Sequence, residues 1–200
     1  MENIRKTKFF VKHWVAAFAV GVLICLIGFR YPHPAVTTDC VVFGYDGLHL
    51  NVLLIERGGE PYKGCWAFPG GFLNIDEDAP DGARRELLEE TGLQVTNIEQ
   101  LGAFATPDRD PRERVISIAY FTLTRVQEVN GGDDARVARW FPIDHLPPLA
   151  FDHQQMFEQA LQRLSDCLKL KRGNFFSADF SYEEIDMIYF ATLTRLNQTT

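Results

Sequence analysis

With 200 residues, 46% of them hydrophobic and 24% charged, the chain suits one compact domain with small additions, and neither two large domains nor a disordered protein. A formal net charge of -7 argues against a nucleic-acid partner, because duplex binding depends on clustered lysine and arginine. The four cysteines form no C-x-x-C pair, so the sequence predicts neither a zinc site nor a redox pair.

The N-terminal residues 1–34 carry a basic start, an apolar segment and a proline-containing linker. Segment 14–29 is uncharged and as a helix would reach about 24 Å, somewhat less than a hydrocarbon core of roughly 30 Å. We interpret it as a single-pass membrane anchor, with the side of the membrane left open. The alternatives are a cleaved signal, or a cytoplasmic protein in which this segment is a soluble N-terminal helix or the result of an over-extended start.

The next segments predict the start of a domain that spans residues 35–170. Stretches 35–44 and 49–57 are rich in β-branched and aliphatic residues, and Asp46-Gly47 between them is a turn signal, so we expect a β-hairpin. Residues 65–73 are interpreted as a loop and a short strand interrupted by Pro69, Gly70 and Gly71.

A helix is predicted over 78–91, where Asp78 can cap the start and Gly92 can end it. Strands are predicted within 93–106, 114–126 and 135–143, followed by a helix over 151–170 with an apolar stripe. The C-terminal extension 171–200 contains Ser181 and, three residues on, Glu184, a capping-box pattern before a short helix. This order indicates the α/β class, with a mixed sheet between helices.

Three glutamates share one face of the helix predicted over 78–91. At about 100° per residue, Glu86, Glu89 and Glu90 fall within roughly 100° of arc. Like charges at this spacing repel each other, and a hard divalent cation such as Mg2+ would relieve the repulsion. A solvated acidic face is the alternative. Gly70 and Gly71 allow close approach of the backbone to a ligand, and Glu77 is placed to pair with Arg85.

These residues resemble a known sequence signature, the Nudix box G-x5-E-x7-R-E-U-x-E-E-x-G-U, in which U is aliphatic. Every fixed position is matched, by Gly71, Glu77, Arg85, Glu86, Leu87, Glu89, Glu90, Gly92 and Leu93. From about residue 35 to 164 the chain is similar to the ADP-ribose pyrophosphatase-like branch, through "WAFPGGF", "DPRERVISIAYF" and "WFPIDHLPPLAFDH".

The resemblance implies a Nudix-type α/β/α sandwich and hydrolysis, dependent on Mg2+ or Mn2+, of a nucleoside diphosphate linked to another moiety. It implies that Glu86, Glu89 and Glu90 hold the metal, that a backbone carbonyl at Gly70-Gly71 adds a ligand, and that the Arg85-Glu77 pair supports the loop. Glu90 or Glu86 is the expected general base. A loop acid such as Glu113, Asp133 or Asp134 is the alternative.

ADP-ribose is the expected substrate, with AMP and ribose 5-phosphate as products, because Pro107 lies at the distance from Gly92 that the family associates with ADP-ribose. Three arginines are candidates for phosphate or ribose contacts, because guanidinium groups suit phosphate oxygens: Arg57, Arg109 and Arg112. Phe104 is a candidate for stacking on adenine, and a place in the core is its alternative. A homodimer is left open.

Three alternatives to this function stay open. The first is a hydrolase that acts on another nucleotide, such as a nucleotide sugar or an oxidised nucleoside triphosphate. The second is a regulator that binds an ADP-ribose-type ligand without catalysis, which the presence of all three metal-type glutamates disfavours. Finally, a membrane anchor would direct the same chemistry at a lipid-linked diphosphate.

Overall fold

The computed structural model describes residues 33–132, 135–170, 176 and 178–198. The segment 14–29, interpreted above as a membrane anchor, lies outside these residues, as do Asp133 and Asp134. No helix within the described ranges combines the length and apolar character needed to cross a bilayer. The anchor and the homodimer both stay predictions.

The centre of the fold is one mixed β-sheet, in which the described residues form seven strands. In chain order the strands are β1 (Ala35–Tyr45), β2 (Leu50–Arg57), β3 (Trp66–Ala67), β4 (Gly70–Phe72), β5 (Glu99–Phe104), β6 (Val115–Arg125) and β7 (Ala135–Pro142). The main path runs β3-β2-β1-β6-β5, with β4 added to β1 and β7 added to β2.

Strand β1 organises this sheet because it has three partners. It runs parallel to β6 along its whole length, from Ala35 opposite Val115 to Tyr45 opposite Arg125. On its other edge it pairs antiparallel with β2 near Tyr45, as the predicted hairpin requires, and with β4 near Thr38. The predicted mixed sheet is therefore confirmed, and β4 is placed beside the N-terminal half of β1.

The described residues form three helices, α1 (Ala79–Thr91), α2 (His153–Lys169) and α3 (Tyr182–Asn197). Helix α1 ends at Gly92, whose φ of 71° is the left-handed conformation that favours glycine. Asp78 stands at the predicted N-cap position, but its side chain makes no capping hydrogen bond. The predicted capping box of Ser181 and Glu184 is present at the start of α3.

Both faces of the sheet are buried, because alternate residues of its central strands point to opposite sides. Val41 and Phe43 lie in one apolar cluster with α2 and α3, whereas Cys40 and Val42 lie in another with α1. The apolar stripe predicted for α2 is buried in the first cluster, through Met156, Phe157, Ala160, Leu161, Leu164 and Leu168. The layers are therefore helix, sheet and helix.

One strand is shorter than predicted. Regular pairing covers only Glu99–Phe104 of the segment 93–106. Leu93 and Val95 are buried instead in the cluster beneath α1. The apolar residues at the start of this segment therefore serve to fix the end of the helix rather than to form sheet.

An ion pair connects α3 to the end of β6. Arg125 donates hydrogen bonds to both oxygens of Glu184, one of them at 2.8 Å, and its guanidinium lies 4.5 Å from the centroid of the Phe180 ring. The backbone N–H of Ser181 donates to the same carboxylate at 2.9 Å. Glu184 therefore joins the helix start to the sheet.

We predict that Glu184→Gln lowers the free energy of unfolding at pH 7, and that this loss shrinks in acid. The hydrogen bonds from Arg125 and the Ser181 backbone lower the pKa of Glu184 from 4.5 to about 2. Because the folded pKa is the lower one, the stabilisation is complete above about pH 4.5 and disappears as the pH falls through about 2. Urea unfolding at pH 7, 4 and 2.5 measures it.

The exposed neighbour Glu183 provides the control for helix charge, because it lies in the same first turn. Glu183→Gln is expected to change stability much less at pH 7. Equal losses in the two variants, or a loss for Glu184→Gln that does not depend on pH, would contradict this role of the ion pair.

Candidate active site

A cavity of about 430 Å³ opens where β1, β4 and α1 meet. Sequence-predicted residues in its lining are Arg57, Gly70, Gly71, Arg85, Glu86, Glu89, Glu90, Arg109 and Arg112. The lining also includes Asp39, Phe151 and His153, which the sequence did not single out. Residues from widely separated parts of the chain are thus brought together at one site.

Arg85 is the centre of the hydrogen-bond network on the acidic side of the cavity. Its guanidinium binds both carboxylate oxygens of Glu77, at 3.0 and 2.6 Å. It also donates to Glu86 at 2.7 Å, to Glu89 at 3.0 Å and to the carbonyl of Phe72 at 3.2 Å. One arginine therefore fixes two of the three glutamates relative to strand β4.

Glu77 contributes to the site through Arg85 and does not line the cavity itself. Its Oε1 also accepts a hydrogen bond of 2.7 Å from the backbone N–H of Asn74. The bonds to Arg85 and then to Asn74 lower the pKa of Glu77 to about 2, so the carboxylate is charged at neutral pH. The pair predicted from the sequence joins the loop after β4 to α1.

Glu90 is the most buried of the three glutamates, with 7% of its surface exposed. Burial, with the charges of Glu86 and Asp39, raises the pKa of Glu90 to about 8, although a 2.9 Å hydrogen bond from the Gly70 N–H opposes the rise. Burial also raises the pKa of Glu86, against the effect of Arg85. Without a bound cation, Glu90 is therefore mostly protonated at neutral pH, because no described residue balances a charged carboxylate at this buried position.

The two glycines of β4 allow the backbone to lie against these carboxylates. A Cβ atom at Gly71 would stand 2.5 Å from Oε1 of Glu86, and one at Gly70 would stand 2.3 Å from the carbonyl oxygen of Thr38. Contacts this short exclude any side chain without a shift of the neighbouring atoms. At Gly70 the contact is with backbone, so glycine is required there, whereas a side chain at position 71 would have to displace the Glu86 carboxylate.

The donor atoms on this side fit a hard divalent cation, since they are carboxylate and backbone oxygens, and a cation would favour the charged form of Glu90. The three glutamates are not gathered around one point, because Arg85 holds Glu86 and Glu89 while Glu90 turns to the Gly70 N–H. Accordingly, no three His, Cys, Asp or Glu side chains of the described residues stand ready as a metal cage. A cation would replace Arg85 as the partner of Glu86 and Glu89.

Two of the predicted phosphate-binding arginines already have carboxylate partners. Arg109, with 4% of its side chain exposed, binds Asp152 through two hydrogen bonds of 2.9 and 2.6 Å. Arg112 binds Asp110 in the same two-bond manner, at 3.0 and 2.7 Å. Their charges are balanced within the protein, so the structure favours a supporting role for both.

Arg57 differs from them. Its Nε donates to the carbonyl of Pro61 at 2.9 Å, and its guanidinium lies 4.8 Å from the centroid of the Phe151 ring. In the part of the chain that the structure describes, no carboxylate pairs with it. Of the three predicted arginines, Arg57 is therefore the one with positive charge available to an anionic ligand.

Asp39 and His153 form a buried pair on the floor of the cavity. Phe68 N–H donates to Nδ1 of His153 at 3.0 Å, which leaves the proton of the neutral ring on Nε2, 3.6 Å from Asp39. Burial lowers the pKa of His153, which favours that neutral form. Ser117 donates to the other oxygen of Asp39. The sequence contains no signal that marks either residue as functional, because Asp39 lies within a predicted strand and His153 near the start of a predicted helix.

Phe104 requires a correction. The structure places it in the apolar cluster of α2 and α3, with 6% of its surface exposed, and not in the cavity lining. Its ring is occupied by core packing, so stacking on adenine is not available to it. The alternative base Glu113 also lies outside the lining, and Pro107 is exposed in the loop before Arg109.

Comparison with known proteins gives consistent matches. Residues 33–160 match the family model of the NUDIX domain. The ADP-ribose pyrophosphatase of Methanocaldococcus jannaschii is 40% identical over 132 residues, which cover 66% of this chain and 76% of that protein. The ADPR responsive transcriptional repressor NtrR of Acinetobacter baylyi is 33% identical, and the match covers 68% of this chain but only 56% of the repressor.

A solved structure matches as well. The NUDIX domain of Shewanella oneidensis NrtR, in its cocrystal structure with ADP ribose, superposes with a TM-score of 0.64 and 34% identity. The match covers 67% of this chain and 90% of that one.

We predict that Gly71→Ala weakens binding of Mn2+ by about 10- to 100-fold, because the new methyl group must displace the Glu86 carboxylate. Since that carboxylate is the end of a flexible side chain, the fold should survive. Electron paramagnetic resonance of free Mn2+ measures the binding. Gly102→Ala is the matched control, because a Cβ there meets no atom within 4 Å. Unchanged Mn2+ binding in Gly71→Ala would contradict this use of Glu86.

Proposed function

Because the chain belongs to the NUDIX domain family and is a Nudix hydrolase, we propose that it hydrolyses the diphosphate of ADP-ribose to AMP and ribose 5-phosphate, with Mg2+ or Mn2+. The observation that carries the proposal is that the carboxylates of α1 and Arg57, which has no carboxylate partner among the described residues, line one cavity. A diphosphate needs both kinds of group, metal ligands and a direct positive charge. The similarity to an ADP-ribose pyrophosphatase supports the choice of ADP-ribose.

Glu86, Glu89, Glu90 and the carbonyl of Gly70 would hold the metal. A bound metal neutralises the diphosphate and lowers the pKa of a water. The protein's own residues do the remaining work. Arg85 and Glu77 keep the loop after β4 against α1, and Gly71 lets the backbone approach the carboxylates.

Glu90 is the preferred general base of the two expected from the sequence. Glu86 is paired with Arg85, whereas Glu90 has no cationic partner among the described residues and accepts only the Gly70 N–H bond. Its buried carboxyl group lies in the cavity lining, and once a bound cation favours its charged form it would take the proton of the attacking water. Arg57 would bind a non-bridging oxygen of the diphosphate.

We expect Glu90→Gln to reduce AMP formation from ADP-ribose in Mg2+ by at least about 100-fold, since the amide neither accepts the proton nor binds a metal well. Chromatographic quantification of AMP measures the loss. Glu158→Gln, on the exposed side of α2, is the control and should retain the parental rate. A Glu90→Gln protein that remains within tenfold of the parent would remove Glu90 from the chemistry.

We predict that replacing Arg57 impairs substrate binding, whereas replacing Arg109 impairs stability. Arg57→Ala is expected to raise KM for ADP-ribose about tenfold or more, because a charge-assisted contact is lost, with little change in melting temperature. Arg109→Ala is expected to lower the melting temperature by several degrees, because Asp152 loses its partner in a largely buried pair. Kinetics and thermal unfolding of both variants test the assignment. The opposite pattern would exchange the two roles.

A second candidate function is ligand-controlled regulation. It is favoured by the similarity to an ADPR responsive transcriptional repressor and to a NUDIX domain of NrtR that binds ADP ribose in its crystal. In this case the chain would bind ADP-ribose in Mg2+ without releasing AMP. Equilibrium binding measured beside the hydrolysis assay separates the two candidates. Faster turnover of a nucleotide sugar or of 8-oxo-dGTP would instead move the proposal to another substrate.

A further inference from the structure

Phe151, in the cavity lining, has a backbone conformation that is rare for residues with a side chain. Its φ is 54°, in the left-handed region. Such conformations persist where the surroundings fix them, and they concentrate at ligand sites. Both flanks are fixed here: the Ala150 N–H donates to the Trp66 carbonyl at 2.8 Å, and the His153 ring is stacked on Phe68 at 5.2 Å.

The Phe151 ring has three neighbours, Arg57, Tyr62 and the His153 ring, whose centroid lies 5.6 Å away. The guanidinium of Arg57 lies over it, 4.8 Å from the centroid. Tyr62 meets it edge to face, also at a centroid distance of 4.8 Å, and Tyr62 too has a positive φ, 63°. Two residues in the left-handed region that contact each other indicate that the backbone around Phe151 has a defined geometry.

These contacts leave part of Arg57 uncommitted. The Pro61 carbonyl takes the Nε hydrogen bond at 2.9 Å, and the Phe151 ring supports the plane of the guanidinium. Within the described ranges the two terminal nitrogens have no hydrogen-bond partner. By contrast, the guanidinium groups of Arg109 and Arg112 each form a salt bridge with a carboxylate. A guanidinium that packs on an aromatic ring has no counter-charge from that contact, whereas the charge of one that pairs with a carboxylate is balanced.

We propose that Phe151 is a positioning residue that, together with the Pro61 carbonyl, orients Arg57 so that its terminal nitrogens bind an anionic oxygen of the ligand. The identity of the ligand rests on the proposed function. The coupling between Phe151 and Arg57 does not, because any diphosphate presents the same oxygens. Nothing in the sequence connects the two residues, which lie on separate segments.

The test compares the full-length protein with Phe151→Leu and Phe151→Tyr. Leucine and tyrosine share the backbone cost of the left-handed conformation, so the variants differ in the aromatic face. The probes are inorganic pyrophosphate and ADP-ribose, with metal removed by chelation, and the affinity is measured by calorimetry. Phe180→Leu is the matched control, because it removes an arginine-aromatic contact of 4.5 Å to Arg125, outside the cavity lining.

We expect Phe151→Leu to weaken pyrophosphate binding about three- to tenfold, and Phe151→Tyr to stay within about twofold of the parent. In an Arg57→Ala background, Phe151→Leu should have no further effect, because the residue acts through Arg57. With metal present, KM for ADP-ribose should rise in Phe151→Leu while kcat changes less than about twofold.

Parental affinity in Phe151→Leu would overturn the proposal, as would an equal loss in the Arg57→Ala background or the same loss in Phe180→Leu. A parent that binds neither probe would also overturn it. Failure of the proposed function looks different: the pyrophosphate coupling would persist, while ADP-ribose would be neither bound nor hydrolysed.

Discussion

The site depends on the contact between strand β4 and helix α1, where Gly71 lies against the carboxylate of Glu86. That contact is possible only because β4 is paired to β1 and α1 is packed on the same sheet. Arg85 then connects the two elements by binding Glu77, Glu86 and the Phe72 carbonyl. Arg85 balances the charges of Glu86 and Glu89, and a bound metal would take over that role.

The arginines that line the cavity differ in what balances their charge. Arg109 and Arg112 are neutralised by Asp152 and Asp110, and they shape the wall. Arg57 is supported by an aromatic ring and a carbonyl instead. Among the described residues no carboxylate pairs with Arg57, and it lines the same cavity as the glutamates of α1. An anionic ligand with a bound metal would complete this arrangement.

Local patterns in the sequence predicted the elements and the acidic half of the site. The hairpin, α1 with Gly92, the α2 stripe and the α3 capping box depend on nearby residues, and each was confirmed. Phe104 could not be placed, since its burial depends on α2, far along the chain. The roles of Arg109 and Phe151 were hidden for the same reason: their partners, Asp152 and Arg57, are distant in sequence, and only the tertiary fold brings them together.

The most direct measurement is hydrolysis of ADP-ribose by the full-length protein and Mg2+ in water enriched in oxygen-18, with mass spectrometry of the products. The proposed chemistry predicts equal amounts of AMP and ribose 5-phosphate, with one labelled oxygen per turnover in one of the two phosphates. ADP-ribose that is bound but left intact would contradict hydrolysis at this site and favour the regulatory candidate.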